Sequence, residues 1–251
     1  MASGVGSLEW ARRTNGRLSA GDQAALLAQG VKRQAQALRA RIGSRGGAVL
    51  DLDAYRPPDT PAAREAEEVC RQASPPALEE HCHRTHLWGV VLGREGGLDW
   101  DEEAFYVAAL THDLGLTEGF RGHDPEAECF SLDSASAARE LVARHAFPDP
   151  RTETIAEAIT LHLNADVPLS NGTEAHLLQL GAALDVTGFR YGDVDGATRD
   201  AILARHPRHG MKEEFKALMD EEVVRHPDSR PAFFTKRVGF KGMIDRAPFD
   251  E

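Results

Sequence analysis

The chain has 251 residues and a formal net charge of −11, with 41% hydrophobic and 27% charged residues. That is enough apolar material for one sizeable core. The acidic balance argues against the basic footprint of a nucleic-acid binder or of a protein held on anionic lipid. No run approaches the roughly 18 apolar residues of a membrane span, and the N-terminus lacks the apolar stretch of a signal peptide. Cys70, Cys82 and Cys129 show no CxxC spacing, which suits free thiols in a reducing compartment. Together these features predict a cytoplasmic protein that handles a small molecule, with no nucleic-acid and no membrane partner.

Helix signals dominate from one end to the other. After a loose Gly/Ser start, residues 20–42 form a helix rich in Ala, Leu, Gln and Arg, and this helix is the candidate for pairing two copies of the chain. Residues 43–58 are broken by Gly46-Gly47 and Pro57-Pro58, which places a boundary between an N-terminal extension (1–56) and the main domain (57–251). Thr60-Pro61 reads as an N-cap followed by proline in the first turn. Further helices are expected over 76–94, from 99–101 to Gly115, and over 133–145, 150–163 and 173–186. Helices over 195–205, 209–225 and 230–244 complete the chain. No segment sustains a period of two, and AVLDL at 48–52 is the one tolerable strand. The fold class is therefore all-α, with roughly eight or nine helices and an N-terminal helical extension.

Eleven histidines supply most of the candidate chemistry. Helical spacing puts His81 on one face with Thr85, Trp88 and Leu92, while His83 points to the other side. Phe105, Ala108 and His112 share a face, so His112 and Asp113 stand together where their helix ends. The second His-Asp pair, His123-Asp124, is followed by Pro125 in a glycine-flanked loop and lacks that context. Asp185 shares a face with Leu178 and Ala182, where an unpaired carboxylate is costly. His162 follows Ile155 and Ile159 on another apolar face. Each could instead be a core residue with an ordinary hydrogen bond.

In order, HCHRT, ALTHDLGLT and GAALDVTG resemble the HD-domain superfamily of metal-dependent hydrolases. PPALEEHCHRTHLWG, HDLGLTEGFRGHDPEAECFSLDSASAA, EAITLHLN and KGMIDRAPFDE look like its cyanamide hydratase-like branch, from about residue 57 to the C-terminus. The resemblance implies an HD-type helical bundle with His81, His112, Asp113 and Asp185 as ligands of one divalent ion. Fe2+ or Zn2+ suits such a mixed nitrogen and oxygen set best, and Mn2+, Ni2+ or Co2+ also fit. The implied activity is addition of metal-activated water to a small neutral nitrogenous substrate with a C≡N group. Asp113, His123 and His162 are the candidates for moving the proton.

Two departures stand out. Glu80-His81-Cys82 replaces the Asn-His-Ser common in the branch, with Arg84 a candidate partner for Glu80. The lysine that follows the His-Asp pair in many HD phosphohydrolases is absent, since no lysine lies between Lys32 and Lys212. Three alternatives remain at the level of sequence. One is a phosphohydrolase using Arg84 and Arg121, and another is a dinuclear iron oxygenase using His145 and His162. The third is a helical module that binds a small ligand without turnover.

Overall fold

Ser7, Thr60, Asp101, Asp195 and Ser229 each accept a hydrogen bond from a backbone N–H in the first turn of the helix they precede, so side chains written into the sequence fix where those helices begin. The computed structural model describes residues 4–40 and 47–251, with side chains over 4–33 and 47–251. Its helices are α1 (Leu8–Thr14), α2 (Ala20–Ala40), α3 (Pro61–Ala73), α4 (Pro76–Glu95), α5 (Glu102–Thr111) and α6 (Phe130–Ala143). They continue as α7 (Asp149–Leu161), α8 (Thr173–Thr187), α9 (Gly196–Arg205), α10 (Met211–Arg225), α11 (Arg230–Phe233) and α12 (Phe240–Asp245). The class is all-α.

Three local expectations change. Residues 8–14 form a helix where a loose start was expected. Ser7 caps it, Trp10 is buried, and Asn15 closes it in the left-handed region at φ 54°. Seven residues are too few for a periodicity signal to register. The single helix expected over 230–244 is broken into α11, a π turn at Phe234–Val238 and α12, with Gly239 at φ 74° between the last two. The AVLDL segment makes one isolated bridge, Ala48 to Val194, and no strand forms among the described residues. The count rises accordingly, to twelve α-helices among the described residues. Residues 41–46, which include the end of the helix expected over 20–42 and the start of the proposed linker, lie outside the described residues.

α4 is the central element. It runs against α8 and α5, while α7 packs on α6, α8 and α5. Trp88, Phe105, Leu110, Ile155, Ile159 and Leu177 are buried in the largest apolar cluster, which Leu50, Leu52 and Tyr55 join. A second cluster brings Leu78, Leu116 and Phe130 against Met211, Phe215 and Met219 of α10. A third gathers Val5, Trp10, Leu26 and Phe233. No helix among the described residues is long and apolar enough to cross a membrane.

Two glycines set the closeness of this packing. A Cβ at Gly181 would stand 2.1 Å from the carbonyl oxygen of Thr85, so α8 rides directly on the backbone of α4. A Cβ at Gly115 would stand 2.1 Å from the carbonyl oxygen of Phe130, so the turn after α5 abuts the start of α6. Gly181→Ala should therefore destabilise the fold by about 1–3 kcal/mol, as overpacking does. Urea midpoints will test this, with Gly119→Ala, whose Cβ meets nothing within 4 Å, as the unchanged control.

Candidate metal centre

Four segments converge on one buried point. α4 delivers His81, and α5 ends so that His112 occupies its C-cap and Asp113 the next position. His162 is the C-cap of α7, and Asp185 lies in the last turns of α8. Helix ends suit this purpose, because the chain turns there and can present neighbouring side chains toward one centre. His81, His112, Asp113 and Asp185 are at most 2% exposed, and His162 is 7% exposed.

The three imidazoles share one arrangement. His81 donates Nδ1–H to Asp185 Oδ2 at 2.8 Å. His112 donates its Nδ1–H to the Ala109 carbonyl at 2.7 Å, and His162 donates to the Ile159 carbonyl at 2.6 Å. With Nδ1 engaged as a donor, each neutral ring keeps its Nε2 lone pair free. Those nitrogens face Asp113: His81 and His112 lie 3.5 and 3.4 Å from Oδ2, and His162 lies 3.5 Å from Oδ1. Thr85 Oγ1 stands 3.5 Å from His81 Nε2. Both Asp113 oxygens and His112 Nε2 are buried and make no hydrogen bond.

A cation can satisfy such a convergence of acceptors. Buried polar atoms are ordinarily paired, and histidine ligands commonly have Nδ1 held by a carbonyl or carboxylate. One donor atom from each of His81, His112 and Asp113 falls within 4.8 Å of the others, so this buried group could hold a metal ion. Two imidazoles and a carboxylate are a donor set for zinc or iron that leaves coordination positions open.

Charge follows the same geometry. Burial alone would raise the Asp113 pKa, but the imidazoles of His112, His81 and His162 outweigh it and hold the acid below its ordinary range. Burial pulls His81 down, and the carboxylates of Asp113 and Asp185 reverse the direction so that its pKa is raised. Burial, aided by His112, lowers His162 to about 3. Asp185 is pushed up by burial, yet Arg84 and His81 keep it well below the usual carboxylate value.

Asp185 is fully engaged. Its Oδ1 accepts from Arg84 Nε at 2.7 Å and Trp88 Nε1 at 2.9 Å, and its Oδ2 accepts from Arg84 Nη2 at 2.9 Å besides His81. Arg84 thus pairs with Asp185 and with the carbonyls of His206 and Pro207, not with Glu80. Glu80 instead bonds His206 at 2.7 Å, and His206 stacks on His83. Arg208, which no sequence pattern singled out, places Nη1 3.6 Å from Asp185 Oδ1. It lies in the turn between α9 and α10, where helical spacing gives no signal.

The remaining candidates sit elsewhere. His123 faces Glu140 at 3.2 Å and packs near Phe120. His145 pairs with Glu65, and Arg121 with Glu221. Phe215 packs 5.7 Å from His81 and Phe130 5.8 Å from His162, ring centre to ring centre, so aromatic side chains wall the group. No family model matches the chain, and no curated protein matches it.

A buried histidine outside the cluster sets an acid limit on stability. His86, 3% exposed and bonded to the Tyr55 hydroxyl at 3.2 Å, is lowered by burial to about 3. The unfolded chain regains an ordinary value near 6.5, so between these limits it binds more protons than the folded chain. Stability is therefore complete above about pH 6.5 and declines as pH falls toward 3. His86 alone should remove about 2 kcal/mol between pH 7 and pH 5. Urea midpoints at the two pH values will measure the loss, and His86→Met should make it smaller by about 2 kcal/mol.

Proposed function

We propose that the chain is a metal-dependent hydratase or hydrolase of a small neutral nitrogenous substrate, with His81, His112 and Asp113 holding its divalent ion. The observation that carries this reading is the convergence of unpaired acceptors, His112 Nε2 and both oxygens of Asp113, in a buried site. The HD-type motif order and the C≡N substrate class come from the resemblance of HCHRT, ALTHDLGLT and GAALDVTG.

An ion in this set would polarise the electrophile and lower the pKa of coordinated water from 15.7 toward about 7. Asp113 supplies the compensating negative charge, and the Nδ1 bonds of His81 and His112 keep their Nε2 atoms aimed at one centre. Addition of water across C≡N moves one proton from oxygen to nitrogen. His162 is the imidazole left to relay it: Asp113 Oδ1 lies 3.5 Å from its Nε2, and because burial holds its pKa at about 3 the ring passes the proton on rather than keeping it. The proton then returns to the substrate nitrogen, so none is consumed. Phe215 and Phe130 line the surroundings with apolar surface.

Two of the alternatives are less well supported. A phosphoester anion calls for a free guanidinium or ammonium, whereas Arg84 is spent on Asp185 and Arg121 on Glu221. The dinuclear reading called on His145 and His162; His162 joins the cluster, whereas His145 is paired with Glu65.

The full chain, stripped with chelator and titrated calorimetrically with Zn2+, should take up one ion, and His112→Ala and Asp113→Asn should abolish uptake. Loaded with Zn2+ or Fe2+, it should hydrate cyanamide or a small nitrile. Turnover of phosphoesters alone would overturn the substrate class. His162→Gln should lower turnover by about 10²–10⁴-fold with the ion still bound, as elemental analysis of the purified variant will show.

A further inference from the structure

The two buried carboxylates of this region have opposite hydrogen-bond inventories. Asp113 receives none. Asp185 receives four: two from Arg84, one from Trp88 and one from His81. An ionised carboxylate offers about four lone-pair sites, so Asp185 has none left for an ion. Its donors are also fixed. Arg84 and Trp88 are 0% exposed, and Arg84 is further tied to the carbonyls of His206 and Pro207. Arg208 stands behind, bonded to the Asp185 backbone carbonyl at 3.3 Å and to Glu251 at 2.9 Å, with its guanidinium over the Phe249 ring.

The motif resemblance implies Asp185 as a fourth ligand, and its surroundings do not fit that part. We propose that Asp185 is a positioning residue and that the ion is held without it, by His81, His112 and Asp113. This assignment rests on the reading of the site as a metal centre. Asp185 accepts His81 Nδ1–H, fixes the tautomer and aims Nε2 at Asp113. Arg84 supplies the charge that lets Asp185 stay ionised in the core. For Asp185 to ligate an ion it would have to release a guanidinium that is itself 0% exposed. Partners that orient a metal ligand typically change affinity 10–100-fold, where a lost ligand removes binding.

The sign of one substitution separates the two roles. If Asp185 were a ligand, Arg84 would compete with the ion and Arg84→Gln would tighten binding. As a positioning residue, Asp185 loses its anchor in Arg84→Gln, and affinity should fall. Calorimetric titration of the full chain with Zn2+ should show Asp185→Asn, which keeps an acceptor for His81, still taking one ion at 10–100-fold lower affinity. Asp113→Asn should take none. Circular dichroism will report whether each variant is folded. Because both Asp185 and Arg84 are buried, the wild-type chain provides the second measurement. A crystal structure with Co2+ should keep both Asp185 oxygens on Arg84 and outside the coordination sphere. A Co2+–O bond to Asp185, or tighter binding by Arg84→Gln, overturns this assignment and leaves the metal centre standing. Failure of the wild-type chain to bind any divalent ion overturns both.

Discussion

The ion pair between Arg84 and Asp185 ties α4 to α8 out of contact with solvent, and the centre of the molecule is arranged around it. Neither side chain is exposed, so the carboxylate, which is costly to bury alone, is stabilised only because the guanidinium grips it through two nitrogens. That grip requires the two helices to approach until the Thr85 carbonyl meets the Cα of Gly181. Once the pair is set, Trp88 and His81 have an acceptor. The carbonyls of His206 and Pro207 are drawn in, and Arg208 links the group to Phe249 and Glu251. Residues of α4 and of the turn between α9 and α10 thereby gather around one carboxylate.

Much of this was legible in the sequence because helices carry local signals. Thr60-Pro61, Asp101 and Asp195 mark helix starts that hydrogen bonds bear out. Spacing put His81 with Thr85 and Trp88, and put His112 and Asp113 at the end of their helix. What spacing cannot encode is which residue of another helix answers a buried charge. Arg84 was assigned to Glu80, four positions away and so a natural neighbour, yet its partner Asp185 is 101 residues distant. The break in the last helix was missed for a related reason. Phe234–Val238 has an unremarkable composition, and the π turn follows from packing of Phe234 against Phe233 and Phe240.

The opening charge count gains a different meaning from the structure. In the sequence, the absence of lysine between positions 32 and 212 bears on the lysine that many HD phosphohydrolases carry after the His-Asp pair. Around the imidazole cluster Arg84 is paired with Asp185 and Arg208 with Glu251, while Arg230, which acts on His162, is held by the Thr160 carbonyl, Asn164 and Ser131. Asp113, by contrast, is flanked by imidazoles alone. The carboxylate at the centre of the cluster is a charge that a cation would complement better than an anion would.

The N-terminal segment bears on the order of assembly. Leu8 bonds Glu157 across 149 positions, Asn164 bonds the carbonyl of Val5 across 159, and Trp10 lies beneath the guanidinium of Arg230. Contacts at such separations close late, because the intervening chain must first be ordered. As the chain emerges from the ribosome, Trp10 waits for more than 200 further residues before its cationic partner at position 230 exists. Until then the C-terminal end of α7, from which His162 projects, lacks its cover. Residues 5–10 are thus among the last of the described residues to find their places.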